Sequence, residues 1–362
     1  IHTKLFVQFD WNDVVGATDY TVTYTVNGGA AVMSTETDSE LTITNAKPTV
    51  VYGFAAVPAN KTLIIEAGAK IHFHDNSGLI IDNKATLNAN GTLSEKIIFE
   101  GDRLEHSFDN IAGQWGAIWM RAGSKNNVIK NAVIKNGIIG ILVDSLGTPT
   151  NPTLKIENTE IYNHSSYGIL GRETNIEANN VVIGNAGQAS LAATIGGTYN
   201  FTHSTFANYW NNGIRQLPTV LVNNFFTYNN EAGQEIIETR NLHAANFTNC
   251  IFDGNNNIEF ILDKVNGGGI FNYSINNSMI KFTDTNDSFK DNTEMDFTSS
   301  FYENIIKNGE PHFRDTQKND FIIGEKSDAI NKAKPSIFTL DILGIDRSSK
   351  PDIGAYQHIT FD

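Results

Sequence analysis

The chain has 362 residues, and its 40 acidic and 26 basic side chains give a formal net charge of −14. Phosphates repel such a field, so the charge opposes unaided binding of nucleic acid or of an anionic membrane surface. The single cysteine, Cys250, excludes an internal disulfide framework and a zinc site built from several thiols. No apolar run reaches the ~18 residues of a membrane span, and no phosphate-binding loop occurs, so we expect neither a transmembrane segment nor a bound nucleotide.

Residues 1–58 differ in pattern from the rest of the chain. Trp11-Asn-Asp-Val-Val-Gly-Ala-Thr-Asp-Tyr20 leads into the alternating Thr21-Val-Thr-Tyr-Thr-Val26, and Asn27-Gly28-Gly29 is a hairpin signal. This stretch resembles part of a fibronectin type III module. We predict a small N-terminal β-cap here, because an open-ended stack of coils would leave strand edges unpaired.

A repeat runs through residues 59–284. Its unit is Asn, two variable residues, an apolar residue, one variable residue and a second Asn, as in Asn131-Ala-Val-Ile-Lys-Asn136. Further units, some of them looser, begin at Asn158, Asn180, His203, Asn249 and Asn277. By subtraction the spacings are 27, 22, 23, 46 and 28 residues, and 46 is twice 23. The repeat therefore has a period of about 23 residues, which is typical of a solenoid.

Each period has room for three short strands. Leu154 and Ile156 alternate with polar residues, Ile161 follows after a turn, and Tyr167-Gly-Ile-Leu170 forms a third apolar segment. The 44 Asn and 30 Gly residues readily adopt the left-handed conformations of tight turns, and stacked Asn side chains can form amide ladders. We therefore predict an all-β fold, a right-handed parallel β-helix over residues 59–284.

Residues 285–362 are predicted to form the last coil or coils and an irregular C-terminal cap. Distinctive segments are Val51-Tyr-Gly-Phe54, Leu63-Ile-Ile-Glu-Ala-Gly-Ala-Lys-Ile-His-Phe-His74, Phe99-Glu-Gly-Asp-Arg103, Gly113-Gln-Trp-Gly116 and the ending Pro351-Asp-Ile-Gly-Ala-Tyr356. They resemble right-handed β-helix surface proteins of Gram-negative bacteria, many of which are lipoproteins. The resemblance implies a location at the cell surface, on the extracellular face of the outer membrane, or in secreted form. It implies no defined reaction.

An insertion at 101–113 interrupts the repeat and carries the catalytic candidates Arg103, Glu105 and His106. In polysaccharide lyases of this fold, a Lys or Arg removes the proton next to a uronate carboxylate, which Ca²⁺ neutralises. Further arginines follow in later coils at Arg121, Arg172 and Arg215, but no run of Asp recurs at one coil position. The competing interpretation is that all these side chains are solvated charges or loop-fixing ion pairs, in a protein without a cofactor.

Two further groups of polar residues suggest chemistry. His72 and His74 lie two residues apart on a predicted strand and point to the same side, which makes them candidates for a metal site. Zn²⁺ would need a third protein ligand, and exposed histidines that bind no metal are the alternative. A second insertion, 225–241, contains Glu231, Glu235 and Glu238, from which a carboxylate pair for glycoside hydrolysis could be drawn.

Trp115, Trp119 and Arg121 are the candidate ligand-binding residues. The two tryptophans alternate with Gly116 and Ile118, so we expect them to share one face of the coil. Exposed indole rings would stack against sugars, whereas buried rings would anchor the neighbouring insertion, and the pattern favours anchoring.

The sequence favours a surface-exposed, non-enzymatic β-helix that binds a glycan or serves as an accessory subunit of an outer-membrane protein assembly. The alternatives are a polysaccharide lyase or glycoside hydrolase that acts on an extracellular glycan, and a purely structural surface spacer. We expect any export signal or lipid anchor to precede residue 1, since the sequence begins without a charged and apolar leader.

Overall fold

The computed structural model describes residues 40–144 and 151–361, together with the backbone of 5–7, 20–26 and 32–36. Three short strands make up each coil, and each strand pairs in parallel with its equivalent one coil further along the chain. Leu63, for example, pairs with Leu41 before it and Leu87 after it. The repetition of these pairings stacks the strands into three ladders, so the predicted right-handed parallel β-helix is confirmed.

The bounds of the strands follow the three ladders. The first ladder contains Glu40–Ile43, Thr62–Ile65, Thr86–Asn90, Asn127–Lys130, Leu242–Thr248, Phe271–Asn276 and Tyr302–Glu303. The second contains Thr49–Val51, Lys70–Phe73, Ile97–Gly101, Ala132–Lys135, Thr205–Asn208, Ile251–Gly254, Met279–Ile280 and Ile306–Lys307. The third contains Phe54–Val57, Gly78–Ile81, Ile118–Met120, Ile139–Asp144, Val220–Asn223 and Phe260–Asp263. Three long strands, Leu154–His164, Tyr167–Ala186 and Ala189–Thr202, bend around the corners and supply the middle coils of all three ladders.

The core is a continuous column of inward side chains. Ile, Leu and Val fill the early coils, and aromatic rings stack along the axis in the later ones. The ring centroids of Phe201 and Phe247 are 5.4 Å apart, and those of Phe206 and Phe252 are 5.2 Å apart, with nearly parallel planes in both pairs. Equivalent positions of successive coils thus carry like side chains, which is how a solenoid buries apolar surface without a compact centre.

The repeated asparagines lie at the turns between strands, in the left-handed conformation that the sequence predicted. Asn131, Asn158 and Asn180 have φ angles of 48°, 47° and 50°. The amide of Asn180 donates to the side-chain oxygen of Asn158 at 2.9 Å, as the amide of Asn163 does to Asn136 at 2.7 Å. These bonds satisfy polar groups that stacking of the coils removes from water.

At the N-terminal end, three strands extend the second ladder. Leu5–Val7 pairs antiparallel with Tyr20–Val26, which pairs antiparallel with Val32–Glu36. The first of these strands also runs parallel to Thr49–Val51. The addition covers the free edge of Thr49–Val51, the second-ladder strand of the first coil. Residues 11–19 of the fibronectin-like stretch and the turn at 27–29 lie outside the described residues.

The C-terminal segment turns back along the outer face of the second ladder. It contains the antiparallel strands Phe313–Asp315 and Asp320–Ile323. In the described part of the chain, 3₁₀ helices are formed by His106–Phe108, Thr293–Met295 and Thr316–Lys318. Phe321 and Tyr356 pack with the outward-facing Val182 and Ala207, burying apolar side chains that a bare coil would expose. Within the described ranges no helix is long and apolar enough to cross a membrane.

Candidate functional site

A groove of about 350 Å³ lies where the returning C-terminal segment meets the outer face of the first ladder. Its floor carries the polar side chains of Lys155, Glu157, Glu177, Asn179, Asn200 and Thr202. Ile337 and Phe338 form its wall. We call this site the first-ladder groove. It combines a polar floor with an apolar wall.

The β-helix register decides which side chains form the floor. Lys155 pairs with Glu177, and Glu177 with Asn200, in three successive coils. Side chains alternate across a strand, so Glu157 and Asn179, two positions further along their strands, face the same side. The floor is therefore two parallel columns of polar groups whose rungs repeat about every 4.8 Å.

Asn179 is the central polar group of the groove. Its side chain is only 7% exposed, yet its amide oxygen has no hydrogen-bond partner. Leaving a buried acceptor unpaired costs about 1–3 kcal/mol, and because this oxygen has almost no exposed surface, a ligand could donate to it only after the side chain turns toward the groove. The wall residue Ile337 is 88% exposed, which places a large apolar surface at the rim.

Opposite charges compensate one another on this face. The ammonium of Lys155 lies 3.4 Å from the carboxylate of Glu177, and both side chains are half exposed. Lys130 lies 3.1 Å from Glu157. Neighbouring floor positions are uncharged, and the amide of Asn246 donates to Asn200 at 2.8 Å. The groove thus offers amides, a hydroxyl and paired charges rather than a field of one sign.

The predicted catalytic residues lie together on the exposed insertion, but each is paired within it. Arg103 bonds to Glu105 at 3.1 Å and covers the ring of Phe108 at 3.8 Å. The hydrogen bond from Arg103 lowers the pKa of Glu105. His106 is fully exposed and pairs with Asp109. Each of the three candidates thus has a partner on the loop itself, and loop ion pairs remain the alternative to a lyase centre.

His72 and His74 contact different carboxylates. His72 lies 3.5 Å from Glu100, which also binds Lys135 at 2.9 Å, and burial lowers the pKa of this histidine. His74 bonds to Asp102 at 2.8 Å. In the ranges that the structure describes, no group of three or more His, Cys, Asp or Glu residues is arranged to hold a metal ion.

The two tryptophans do not share a face, so this expectation was wrong. Trp115 is fully buried, stacks on Phe73 at 4.3 Å and donates from its indole to the carbonyl of Lys135 at 2.9 Å. A corner of the coil separates it from Ile118–Met120, where Trp119 points outward. Trp115 is therefore a core side chain and presents no ring to a ligand.

Trp119 and Arg121 are at the surface, on the outer face of the third ladder. The Trp119 indole donates to Asp144 at 2.8 Å, and the guanidinium of Arg121 lies 5.4 Å from its ring centroid. Arg121 also binds Asp82 at 2.9 Å. This face is separate from the first-ladder groove, so the structure does not bring these two residues to that site.

Of the later arginines, Arg215 is unsuited to act as a base because it is buried. Its guanidinium donates hydrogen bonds to both carboxylate oxygens of Glu259. The side chain of Arg215 is 2% exposed and that of Glu259 is 0% exposed. Arg172 is paired with Asp144 at 2.6 Å. Ion pairs therefore account for both residues.

The second insertion is a hairpin whose strands are Phe225–Asn229 and Glu235–Thr239. Glu231 and Glu235 are exposed on it, and Glu238 pairs with Arg240. Arg240 also lies 3.6 Å from Glu173 in the adjoining coil. The structure thus uses Glu238 in a contact at the hairpin base.

Asp253, next to the buried Arg215 and Glu259, should make stability depend on pH. Burial raises its pKa to about 6, although Gly254, Lys281 and Tyr209 partly oppose the shift. The Asp253 carboxyl group therefore binds its proton more tightly in the folded protein than in the unfolded one. This contributes stability below the unfolded-state pKa, and the contribution is lost as the pH rises through about 6. We expect Asp253→Asn to gain stability relative to the wild type between pH 4 and pH 6.5, by up to about 3 kcal/mol. Urea denaturation at several pH values measures this, and a difference that is flat or falls with pH would contradict it.

The stacked coils define a parallel β-helix protein with a lateral groove on its flank. No family model matches the sequence, and no curated protein matches it. Among solved structures the chain is similar to tailspike protein gp49 from Acinetobacter baumannii bacteriophage Fri1, a capsular polysaccharide depolymerase. The identity is 10% and the TM-score 0.37, and the match covers 76% of this chain and 56% of that chain. The chain therefore spans little more than half the length of that tailspike.

Sequence reasoning missed the first-ladder groove. Its signal was present in Lys155-Ile-Glu157 and Glu177-Ala-Asn179, where polar residues alternate with inward apolar ones at the same coil position. No local pattern linked these positions to residues 337–338, because that contact joins segments about 160 residues apart.

Proposed function

We propose that the protein is a surface-exposed, non-enzymatic β-helix that binds a neutral, hydroxyl-rich glycan in the first-ladder groove. The observation that carries the proposal is the groove itself, in which amides, a hydroxyl and paired charges face the apolar wall of Ile337 and Phe338. A sugar hydroxyl can donate to a side-chain oxygen of the floor, and the same hydroxyl can accept a bond from a neighbouring amide or hydroxyl.

The shape of the groove also suits a carbohydrate chain. Its polar columns repeat about every 4.8 Å along the solenoid, close to the length of one pyranose residue in an extended glycan. Phe338 and Ile337 line one side, where the apolar face of a sugar ring can pack. An extended glycan could thus contact several coils in register.

The charges favour a neutral glycan over a uronate polymer. Lys155 is paired with Glu177, and Glu157 lies on the same floor. The floor therefore offers no unpaired cation to the carboxylate of a uronate. The net charge of −14 further opposes the approach of a polyanion. Both groove carboxylates are held in ion pairs with Lys130 and Lys155, which supports binding rather than turnover.

The cellular location belongs to the same proposal. The resemblance to β-helix surface proteins supports exposure on the outer membrane of a Gram-negative cell or secretion. A role as an accessory subunit of an outer-membrane assembly would place the groove where extracellular glycan is available.

The test is calorimetric titration of the full chain with a panel of neutral and uronate-containing oligosaccharides. We expect a neutral glycan to bind, and Asn179→Ala and Phe338→Ala each to weaken its affinity about tenfold, the equivalent of one lost contact of ~1.4 kcal/mol. Asn88→Ala is the matched control, because Asn88 lies on the same ladder outside the groove. It should bind as the wild type does.

Two results would overturn the proposal. One is the absence of any neutral ligand, or affinity that both groove variants leave unchanged. The other is turnover: release of reducing ends or of unsaturated sugars from any glycan in the panel would make the protein an enzyme. Loss of that turnover in Arg103→Ala would then identify the insertion as its centre.

A further inference from the structure

The outer face of the third ladder carries a continuous apolar column. Successive coils place Ile80, Trp119, Leu142, Leu170, Ala192 and Leu221 at one register position. Six rungs, separated by five spacings of about 4.8 Å, make the column about 24 Å long. All but Ala192 are partly exposed. A row of partly exposed apolar side chains on an outer face suits a protein contact.

A column of alternating charge runs beside the apolar one. Its order along the solenoid is Asp82, Arg121, Asp144 and Arg172. Arg121 binds Asp82 at 2.9 Å, and the guanidinium of Arg172 donates two hydrogen bonds of 2.6 and 2.8 Å to the carboxylate of Asp144. These four groups have no net charge, although the chain as a whole carries −14. Two copies of the chain can therefore approach through this face without the repulsion that other faces would impose.

The alternation is self-complementary for one orientation of a second copy. Consider a two-fold axis that lies in the interface, parallel to the strands, at the level between Arg121 and Asp144. It turns the second solenoid antiparallel, so that Asp82 faces Arg172 of the second copy and Arg121 faces its Asp144. A parallel arrangement in register would instead oppose like charges at every rung.

The same axis matches the apolar columns. It brings Trp119 opposite Leu142 and Ile80 opposite Leu170, so apolar side chains meet apolar side chains at the centre. Aliphatic groups have no bonding partners to offer sugar hydroxyls, which distinguishes this face from the first-ladder groove. A central apolar row flanked by charges is also the ordinary composition of a protein interface.

We propose that the chain forms a two-fold symmetric, antiparallel homodimer through the outer face of the third ladder. The dimer leaves the groove of each copy open on a different ladder. It would therefore present two glycan sites and bind multivalent surfaces more tightly than one site allows.

The test is the mass of the full chain in solution, by sedimentation velocity and light scattering over a range of concentrations. We expect a dimer for the wild type. Asp144→Arg places two cations opposite each other in the dimer, and Arg121→Asp places two anions, so each variant alone should be monomeric. An equimolar mixture of the two should dimerise, because Arg121 and the introduced arginine of one chain then face the two acidic residues of the other.

Further variants keep the test decisive. If Asp144→Arg misfolds, judged by circular dichroism, Leu142→Arg disrupts the same face through its partly exposed apolar row. Lys155→Glu, on the first ladder, is the charge control and should remain dimeric. A monomeric wild type, or a dimer that persists in Leu142→Arg and in both charge variants, would overturn the proposal. Glycan affinity per site should be unchanged in the monomeric variants, so this result stays independent of the groove.

Discussion

Replacing Glu259 by alanine is expected to cost about 3–5 kcal/mol of unfolding free energy, the loss typical of breaking one partner out of a buried ion pair. Its carboxylate accepts hydrogen bonds from both terminal nitrogens of Arg215, from the backbone N–H and hydroxyl of Thr219, and from the backbone N–H of Asn256. The variant would leave a buried guanidinium without its anion and several donors unpaired. Urea denaturation followed by circular dichroism measures the effect.

A double-mutant cycle distinguishes the ion pair from simple loss of packing. Arg215→Met should be strongly destabilising by itself, because it leaves Glu259 charged and buried. Arg215→Met combined with Glu259→Met should cost clearly less than the sum of the two single changes, since no isolated charge remains. Lys155→Met, which removes an exposed pair, is the control and should change stability little. A cost below about 1 kcal/mol for Glu259→Ala would contradict the buried pair.

Trp115→Ala should be destabilising to a similar degree, by about 3–5 kcal/mol. The indole is fully buried against Phe73, and its ring edge lies next to Gly137, where a Cβ atom would approach it within about 3.0 Å. Removal opens a cavity between coils and leaves the carbonyl of Lys135 without its donor. Chemical denaturation of the purified variant is the measurement.

Two variants separate the contributions at this position. Trp115→Phe keeps most of the packing and loses the indole hydrogen bond, so it should cost clearly less than the alanine variant. Trp210→Ala removes an equally large but partly exposed side chain and should have a small effect. A Trp115→Ala protein as stable as Trp210→Ala would show that the buried ring contributes little to the stability of the core.

The groove depends on how the C-terminal segment is held. Asn249 of the repeat exchanges hydrogen bonds with the backbone of Lys334, at 2.8 and 2.7 Å, and His203 bonds to Ser336 at 3.1 Å. These contacts place Ile337 and Phe338 beside the first ladder. Turn residues of the repeat therefore serve two purposes: they close the coils, and they position the wall of the candidate site.

The repeat and the coil architecture were predictable because both are local. An inward residue alternates with an outward one on every strand, and Asn adopts the left-handed conformation of the turn at Asn131, Asn158 and Asn180. Most coils repeat the same pattern every 22 to 28 residues, but the 46 residues from His203 to Asn249 form one coil that contains the hairpin of the second insertion, so their interpretation as two periods was wrong. The sequence alone therefore determines the number of strands per coil, the direction of stacking and which strand positions face the core.

Only the tertiary structure decided which outward residues are covered and which remain available. Val182 and Ala207 face outward yet are buried, because the segment around Phe321 returns across their ladder. Trp115 turns inward at a corner whose geometry its neighbouring coils set. Arg215 and Glu259 meet although they are 44 residues apart, because stacking brings their turns together. Contacts between coils, and between the solenoid and its returning end, depend on three-dimensional proximity, which no pattern along a single strand encodes.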